Sequence, residues 1–485
     1  MASQWIGRRL ALAWLLVILQ AGAIFGEHGV VEEVIVDELS PDLVKEEATE
    51  PRFFAAVIDA GSTGTRLHLF EFKHSTDETA NAPFELVREV FKEVKPGLSA
   101  FASHPEKAAA SVRVLLTRAK EVIPERLYVH SPVIVQATAG LRLLPGDRAE
   151  KILDAVRKEV DASGLLVGDE AVGILSGKDE GIFGWFTLNF LTGRLSFTSK
   201  PGDASDLTAA ALDLGGGSTQ LTFNQRADTS EDRTHVVSIF GREFELYTHS
   251  YLGNGLVSAR LGIASLLGTD STNKNQLRTH CMAPGIGVDK WEYVENVYQV
   301  SATEDASFEK CLVQATDFVK RISKVRKVDE LKDIPVFAFS YFFDRGSQVG
   351  MIQTDPITRG GWIQLSQFKL AATQACAVKP DELGPEHWRP WLCMDLTYMY
   401  ALLSEGYGLP DDKNIHLTKR MRDMEVSWAL GAGFHLLNSY HQQHFDKAHN
   451  PIPASNLTIP FFLSQVVDYL SAKATHVLGF FNLIS

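Results

Sequence analysis

Two short glycine-rich segments carry the residue types that could bind a phosphate group. They are Val57–Arg66, VIDAGSTGTR, and Ala211–Gln220, ALDLGGGSTQ. Each begins with an apolar run that ends in an aspartate, Asp59 or Asp213, and then passes through glycines and small hydroxyl residues. This pattern predicts a strand, a tight turn and a second strand. In such a turn, successive backbone N–H groups can form a site for an anion, and Ser and Thr hydroxyls add donors.

The two aspartates are informative because a carboxylate repels a phosphate. Asp59 and Asp213 suit a phosphate site only if a divalent cation, or water bound to one, lies between the two negative charges. The alternative is that each aspartate caps its turn and that each loop is an ordinary hairpin. The loops are 154 positions apart, a spacing that fits two copies of one domain. Two such loops facing each other across a cleft could bind a phosphoryl chain from both sides.

Five segments, in order, resemble the conserved regions of the apyrases, a family of nucleoside-phosphate phosphohydrolases within the actin-like ATPase architecture. They cover the chain from about residue 53 to 435: DAGSTGTR, ATAGLRLLP (Ala137–Pro145), GKDEGIFGWFTLNFL (Gly177–Leu191), ALDLGGGSTQ and SWALG (Ser427–Gly431). The segments YTHSYLGNGL, FSYFF and CMDLTYMYALL look most similar to the soluble, lumenal nucleoside-diphosphatases of that family.

The order of elements and the resemblance together predict the fold. Alternating strand and helix patterns indicate a mixed α/β protein, and the apolar strand before Thr138 delivers that residue to a carboxyl edge, where open α/β sheets place ligands. The resemblance implies two actin-like (RNase H-like) domains with an active-site cleft between them. It also implies that the chain returns to the first domain near Gly433. Domain I would then comprise residues 52–180 and 433–485, and domain II residues 181–432.

The resemblance assigns the chemical roles. Glu180 matches the general base that activates water, although a carboxylate at a helix start is otherwise ordinary surface charge. Ser218 and Gln220 match residues that orient the attacking water, and Thr138 matches a residue near the metal and water. Asp59 and Asp213 would hold Ca²⁺ or Mg²⁺, partly through water. The phosphate cradle would comprise Ser62, Thr63, Gly64, Thr65, Gly215, Gly216, Gly217 and Thr219.

Each of the remaining candidate residues could instead have a purely structural role. Tyr341 and Phe342 could stack on a nucleobase, but an aromatic run after a strand is also typical of a core. Asp395 and Tyr398 are secondary candidates for base binding. Trp428 matches a tryptophan at the floor of the family's site, or is a core aromatic. Arg142 could contact phosphate, but we favour a salt bridge that anchors its loop.

Two departures from the family pattern bear on the substrate. Position 64 is glycine, where cell-surface triphosphate-cleaving relatives tend to have histidine, and Gly253-Asn254-Gly255 replaces their Cys-Tyr-Gly. Both favour nucleoside diphosphates, with UDP and GDP as the expected substrates. The alternatives are a broad apyrase acting on tri- and diphosphates, a sugar-kinase-like phosphotransferase, or a silent nucleotide-binding protein.

The length and charge of the chain limit the number of domains and the kinds of partner that we expect. The chain has 485 residues, 47 basic and 60 acidic, for a formal net charge of −13. That length predicts two domains, and the acidic balance without a long basic run argues against a nucleic-acid partner. We expect a monomer.

The first residues predict entry into the secretory pathway. Arg8 and Arg9 precede the apolar run Leu10–Phe25, so residues 1–26 are predicted to be a signal peptide or a signal anchor. In the anchor case, this segment would be the only membrane contact. An acidic linker over residues 27–51 would follow. We expect the protein in the lumen of the endoplasmic reticulum or Golgi, or secreted.

Cysteine usage fits the same compartment. The even count of four cysteines predicts two disulfides in an oxidising compartment. Three pairings are possible, and we predict the one that joins sequence neighbours, Cys281–Cys311 and Cys376–Cys393. A zinc site is the alternative, but no CxxC pair supports it. The sequon at Asn456 predicts a glycosylation site.

Overall fold

A computed structural model describes residues 52–74, 84–195, 208–225, 234–239, 242–268, 274–294, 296–352 and 360–444. The predicted signal segment and linker, the sequon at Asn456 and the C-terminal residues 445–485 lie outside this part of the chain. None of the helices within the described residues is long and apolar enough to span a membrane.

The described residues form seventeen strands, most of them in two large sheets. The strands are β1 Arg52–Ala60, β2 Thr65–His74, β3 Phe84–Val94, β4 Pro132–Ala137, β5 Leu166–Ile174, β6 Ala210–Leu214, β7 Ser218–Asn224, β8 Thr234–Ile239, β9 Arg242–Leu252, β10 Gln276–Thr279, β11 Gly287–Tyr293, β12 Asn296–Ala302, β13 Val336–Ser340, β14 Gly361–Gln364, β15 Asn414–Leu417, β16 Arg420–Met421 and β17 Met424–Glu425.

Ten α-helices accompany these strands in the described residues. They are α1 Pro105–Val122, α2 Ala139–Arg142, α3 Arg148–Asp161, α4 Gly177–Leu191, α5 Leu256–Ala264, α6 Phe308–Asp317, α7 Tyr341–Gln348, α8 Ser366–Cys376, α9 Leu392–Ala401 and α10 Trp428–His444. A π-helical turn, Phe318–Ile322, continues α6.

The five strands of the first large sheet and five of the seven strands of the second share one arrangement. The first has the order β3-β2-β1-β4-β5, and the second has β14-β15-β13-β6-β7-β9-β8. In each sheet the first strand pairs antiparallel with the second and parallel with the strand beyond the crossover, as β1 does with β2 and β4, and as β6 does with β7 and β13. The glycine-rich loops join β1 to β2 and β6 to β7, so they occupy equivalent places in the two sheets.

The central strands of each sheet are buried under apolar side chains. Strand β1 is buried from Phe54 to Ala60, and one of its faces packs against α1 and α3 through a cluster that includes Ile58, Val112 and Val156. The other face joins a cluster that also contains residues of α4, α10 and the second sheet, among them Val57, Phe70, Trp185, Leu188, Ala211, Phe339, Leu430 and Phe434. Helices α4 and α10 therefore link the two sheets through one apolar core.

Four cysteines form two disulfides, Cys281–Cys311 and Cys376–Cys393. Both pairs are the predicted ones. They lie in the core of the second sheet's helical layer, where all four residues are buried. The small sheet of order β10-β12-β11 lies beside this layer, since Trp291 on β11 contacts Trp391 at a ring-centroid distance of 4.9 Å.

Candidate active site

The two glycine-rich loops line the same cavity, which has a volume of about 940 Å³. Of the predicted cradle, Ser62, Thr63 and the three glycines from Gly215 to Gly217 line it. The loops approach closely, because a Cβ atom placed on Gly216 would lie 2.3 Å from Ser62 Oγ. A side chain at position 216 would therefore push the two loops apart.

Three cradle residues lie outside the lining. Thr65 and Thr219 are fully buried on β2 and β7, and the hydroxyl of Thr219 donates to the carbonyl of Asp213 at 2.7 Å. Gly64 is also absent from the lining, and a Cβ atom there would meet Glu93 Oε1 at 2.7 Å. These three residues shape the loops from behind.

Asp59 and Asp213 lie near the carboxyl ends of β1 and β6, and both face the cavity. Burial raises the pKa of both carboxyls, that of Asp213 to about 6. Arg66 lies 3.5 Å from Asp59 Oδ2, and the Trp428 indole hydrogen-bonds to the same carboxylate. Within the described residues, Oδ1 of each aspartate is buried without a hydrogen-bond partner.

These unpartnered oxygens fit a divalent cation. A buried carboxylate oxygen without a donor is costly, and the two carboxylates that carry such oxygens line one cavity from different strands. Oxygen ligands of this kind suit Ca²⁺ or Mg²⁺.

Glu180 reaches the cavity from the first turn of α4. This turn packs directly on the second sheet, because a Cβ atom on Gly181 would lie 2.5 Å from Thr248 Oγ1. The Glu180 Oε2 atom accepts a hydrogen bond from Arg142 Nη2 at 2.5 Å. Arg142 does not line the cavity, so its observed contact is the predicted salt bridge.

The surroundings of Glu180 favour its neutral form. Burial raises the pKa of its carboxyl to about 8, against the opposing charge of Arg142 and with Asp213 and Asp59 acting in the same direction as burial. A carboxyl group with a pKa near neutrality can take and return a proton. The neighbouring Asp179 is buried against Ser176 and does not line the cavity.

The residues predicted to orient water form a short hydrogen-bond chain. Gln220 Nε2 donates to Ser218 Oγ at 2.7 Å and to Ser250 Oγ at 3.0 Å. Ser218 and Thr138 line the cavity, whereas Gln220 lies behind Ser218. Gln220 is therefore placed to fix the hydroxyl of Ser218, and Ser250 is a member of this chain that the sequence did not indicate. Trp428 also lines the cavity, at the start of α10.

The prediction for base binding needs correction. Tyr341 lines the cavity, but Phe342, Asp395 and Tyr398 do not. Phe342 and Asp395 are fully buried, and the Tyr398 hydroxyl donates to the carbonyl of Asn254 at 2.5 Å inside the core. None of these three side chains has surface with which to contact a base, because α9 and one side of α7 face the protein interior.

Other residues line the cavity that the sequence did not indicate. Trp291, Trp388 and Trp391 supply aromatic surface, and Arg260 and Arg345 supply positive charge. One signal for Arg260 was available, since it is the only charged residue in the apolar helix α5, LVSARLGIA. The tryptophans carried no such signal, because an isolated tryptophan is as typical of a core as of a site.

The fold and the cavity together define a class of protein. Two sheets that share a five-strand arrangement present equivalent phosphate-type loops, each with an aspartate, to one cavity that also holds a carboxyl group with a raised pKa. A crystal structure of a nucleoside triphosphate hydrolase from Neospora caninum has a similar fold, with a TM-score of 0.58 at 15% identity over 81% of this chain and 94% of that chain. The chain thus has the predicted actin-like α/β fold.

Sequence comparison identifies the family. Residues 45–450 match the GDA1/CD39 (nucleoside phosphatase) family, and the chain belongs to that family. It is 41% identical to the nucleoside-diphosphatase uda-1 of Caenorhabditis elegans, over 90% of this chain and 91% of the relative. It is 40% identical to human ectonucleoside triphosphate diphosphohydrolase 6, over 81% of this chain and 78% of the relative. The predicted apyrase resemblance and the prediction of a hydrolase acting on nucleoside phosphates are confirmed.

Proposed function

We propose that this protein hydrolyses the terminal phosphate of nucleoside diphosphates, UDP and GDP among them, to give a nucleoside monophosphate and phosphate. The observation that carries the proposal is the placement of two phosphate-type loops, two unpartnered aspartate oxygens and Glu180 around one cavity. The similarity to the Caenorhabditis elegans nucleoside-diphosphatase supports diphosphates as the substrate class.

Separate groups of residues bind the phosphate, hold the cation and activate the water. The backbone N–H groups and hydroxyls of the two loops bind and orient the phosphoryl oxygens. Asp59 and Asp213 would hold a divalent cation, which would neutralise phosphate charge when bound. Glu180 accepts a proton from the attacking water, and Arg142 holds the Glu180 carboxylate in place. Ser218, fixed by Gln220, accepts or donates a hydrogen bond at that water.

Water and the nucleotide together supply every atom of the two products. The water oxygen forms a bond to the terminal phosphorus while the bond from that phosphorus to the bridging oxygen breaks. The nucleoside monophosphate leaves with the bridging oxygen, and the proton taken by Glu180 returns to solvent or to a product. The raised pKa of the Glu180 carboxyl makes its ionised form a stronger base towards the attacking water.

We also propose that the reaction takes place in the lumen of the secretory pathway, where it would remove diphosphates released by glycosyltransferases. The basic residues before Leu10–Phe25 and the two buried disulfides support this location. A glycan on Asn456 in protein from intact cells would agree with it, and a chain found only in the cytosol would refute it.

The function is tested by phosphate release from UDP, GDP, ADP, UTP, ATP and UMP with Mg²⁺, with Ca²⁺ and with EDTA. We expect metal-dependent release from UDP and GDP, with little release from ATP and none in EDTA. Equal release from ATP and ADP would make the protein a broad apyrase. No release from any nucleotide would refute the proposal and favour a phosphotransferase, which a screen of sugar acceptors with ATP would test.

A further inference from the structure

Two arginines share one buried carboxylate at the edge of the cavity. Arg260 on α5 donates to Asp395 from Nε at 2.8 Å and from Nη2 at 2.6 Å, and Arg345 on α7 donates to the same group from Nε at 2.6 Å. Both arginines line the cavity, whereas Asp395 on α9 is fully buried. Burial favours the neutral acid, but the two guanidinium groups outweigh it and hold the pKa of Asp395 below its usual value. The trio keeps one net positive charge.

Both helices begin at the phosphate site. The N–H groups of Leu256 and Val257, in the first turn of α5, donate to the carbonyls of Gly215 and Gly216 at 2.9 and 3.0 Å. Helix α7 begins after Ser340, whose side chain hydrogen-bonds to Asp213.

The two arginines stand at the same distance along these helices. Arg260 follows Gly255, and Arg345 follows Ser340, by five positions, which is about 7 Å of helix rise. The pair therefore lies beyond the phosphate loops within the same cavity. A nucleotide with its phosphates in the loops has room for its nucleoside beside this pair.

Each arginine keeps a donor for a ligand. Arg345 Nη1 donates to Gln348 Oε1 at 2.6 Å. Among the residues that the structure describes, Arg260 Nη1 and Arg345 Nη2 donate to no protein group. Aromatic rings hold the guanidinium planes, since Arg260 lies 4.6 Å from the Trp391 ring centroid and Arg345 lies 5.5 Å from that of Tyr341. Both rings line the cavity, and Tyr341, which is half-buried, offers surface for stacking, whereas Trp391 is largely buried.

We propose that Arg260 and Arg345 determine the base specificity of this enzyme by selecting nucleobases that present a carbonyl oxygen. A guanidinium group only donates hydrogen bonds, so it pairs with O4 of uracil or with O6 and N7 of guanine and hypoxanthine. Adenine and cytosine carry an amino group at the corresponding position, which would leave a buried donor unpaired. Asp395 is the positioning residue that aims both guanidinium groups. This inference rests on the proposed function and deepens it.

The pair IDP and ADP gives the sharpest test, because their bases differ mainly in a carbonyl or an amino group at position 6. We expect the native enzyme to favour IDP over ADP by 10-fold or more in kcat/KM, in the range that one bidentate contact to a base provides. In Arg260→Met and Arg345→Met this ratio should fall towards one. Arg260→Lys and Arg345→Lys, which keep the charge beside Asp395, should restore part of it.

Controls separate base selection from folding and from phosphate binding. Ribose 5-diphosphate has no base, so its turnover should change little in the four variants. Arg113→Gln removes an arginine from the exposed pair of Arg113 with Glu159 on the far side of the first sheet and should leave the ratio unchanged. Thermal unfolding identifies any variant that fails to fold. If a Met variant fails, the ratio of IDP to ADP turnover is compared between the native enzyme and the Lys variants.

Several outcomes would overturn the inference. A native enzyme that hydrolyses IDP and ADP equally well would refute base selection while leaving the proposed function intact, as would variants with an unchanged ratio. Equal loss of ribose 5-diphosphate and IDP turnover would assign the arginines to phosphate binding. If no nucleotide is hydrolysed, the proposed function fails, and dissociation constants for IDP and ADP decide the inference separately: preference for IDP supports it and equal affinity refutes it.

Discussion

Three of the acidic residues that line the cavity, Asp59, Asp213 and Glu180, govern its chemistry. Asp59 and Glu180 are buried and Asp213 is half-buried, and all three have a raised pKa, with desolvation as the main cause. Arg142 and Arg66 offset part of this negative charge through ion pairs with Glu180 and Asp59. The remaining charge favours either protons or a divalent cation, so pH and metal should compete for the site.

This competition predicts how stability depends on pH. The folded protein holds protons on these groups more tightly than the unfolded chain does, so the stability that they contribute is present below pH 4 and is lost as pH rises through 6 and 8. These carboxyls therefore lower the Tm in EDTA at pH 8 relative to pH 5. The buried histidines His416 and His435, whose pKa values burial lowers to about 4, act in the opposite direction. Mg²⁺ or Ca²⁺ should raise the Tm more at pH 8 than at pH 5.

A matched variant isolates the contribution of Glu180. Glu180→Gln cannot ionise, so between pH 5 and pH 8 its Tm in EDTA should fall less, or rise more, than that of the native protein. Acids with lowered pKa values, such as Asp395, do not contribute to this change, because they titrate below pH 5. An equal change of Tm between pH 5 and pH 8 in the native protein and in Glu180→Gln would contradict the burial argument.

At the scale of elements, the start of α5 holds the second phosphate loop in place. A Cβ atom on Gly255 would lie 2.4 Å from the backbone of Gly216, Gly217 and Ser218. Gly255→Ala must therefore displace this loop, since backbone atoms cannot rotate away. We expect kcat/KM for UDP to fall by 10-fold or more, together with a stability loss of about 1–3 kcal/mol.

Gly168→Ala provides the control for this substitution. Gly168 lies on β5, is exposed, and has no atom within 4 Å of the added methyl group. It should leave kcat/KM unchanged. Normal UDP turnover in Gly255→Ala would show that the contact between α5 and the loop does not hold the phosphate site.

The loops could be predicted from sequence, but the face of α7 could not. The strand–turn–strand pattern around Asp59 and Asp213 is local, and the structure has it. The prediction that Phe342 binds the base was wrong because Tyr341–Gln348 is a helix, which the aromatic run after the strand did not indicate. Residues at helical spacing face the cavity, while Phe342 faces the core. The cavity-facing residues of α7 are Tyr341, Asp344, Arg345 and Gln348.

The contacts of α9 explain the other two misplaced residues. Asp395 and Tyr398 are polar side chains in the segment CMDLTYMYALL, and a polar residue in an apolar helix can indicate a ligand site. Here both are satisfied by distant protein groups, Arg260 and Asn254. Partners so far apart in the chain leave no local pattern, so the sequence alone does not reveal them.

At the scale of the whole molecule, the site depends on how two similar sheets are joined. Helix α4 packs on the second sheet and on α10, and the cluster that contains both helices extends to β1. A Cβ atom on Gly431 would lie 2.6 Å from the carbonyl of Phe183, so the two helices are in direct contact. This contact fixes Glu180, on α4, relative to Asp59, on β1.

The repeat of the loops predicted two related units, and the resemblance predicted their actin-like fold. The limits of the two domains, at residues 180 and 432, stay a prediction. The resemblance implied the return of the chain near Gly433, which a local pattern cannot show because it depends on apolar contacts between residues far apart in sequence. The small sheet that contains Trp291 was not predicted, again because its position depends on contacts between residues far apart in sequence.

The central claim is that this chain cleaves the terminal phosphate by water attack, with Glu180 as the base. The measurement that tests it most directly is hydrolysis of UDP in ¹⁸O-labelled water with Mg²⁺, by the native protein and by Glu180→Gln. We predict one ¹⁸O atom in the released phosphate and none in UMP. The variant should bind UDP but turn it over more slowly, by a factor of about 100 or more. Label in UMP, or native turnover by Glu180→Gln, would contradict the account.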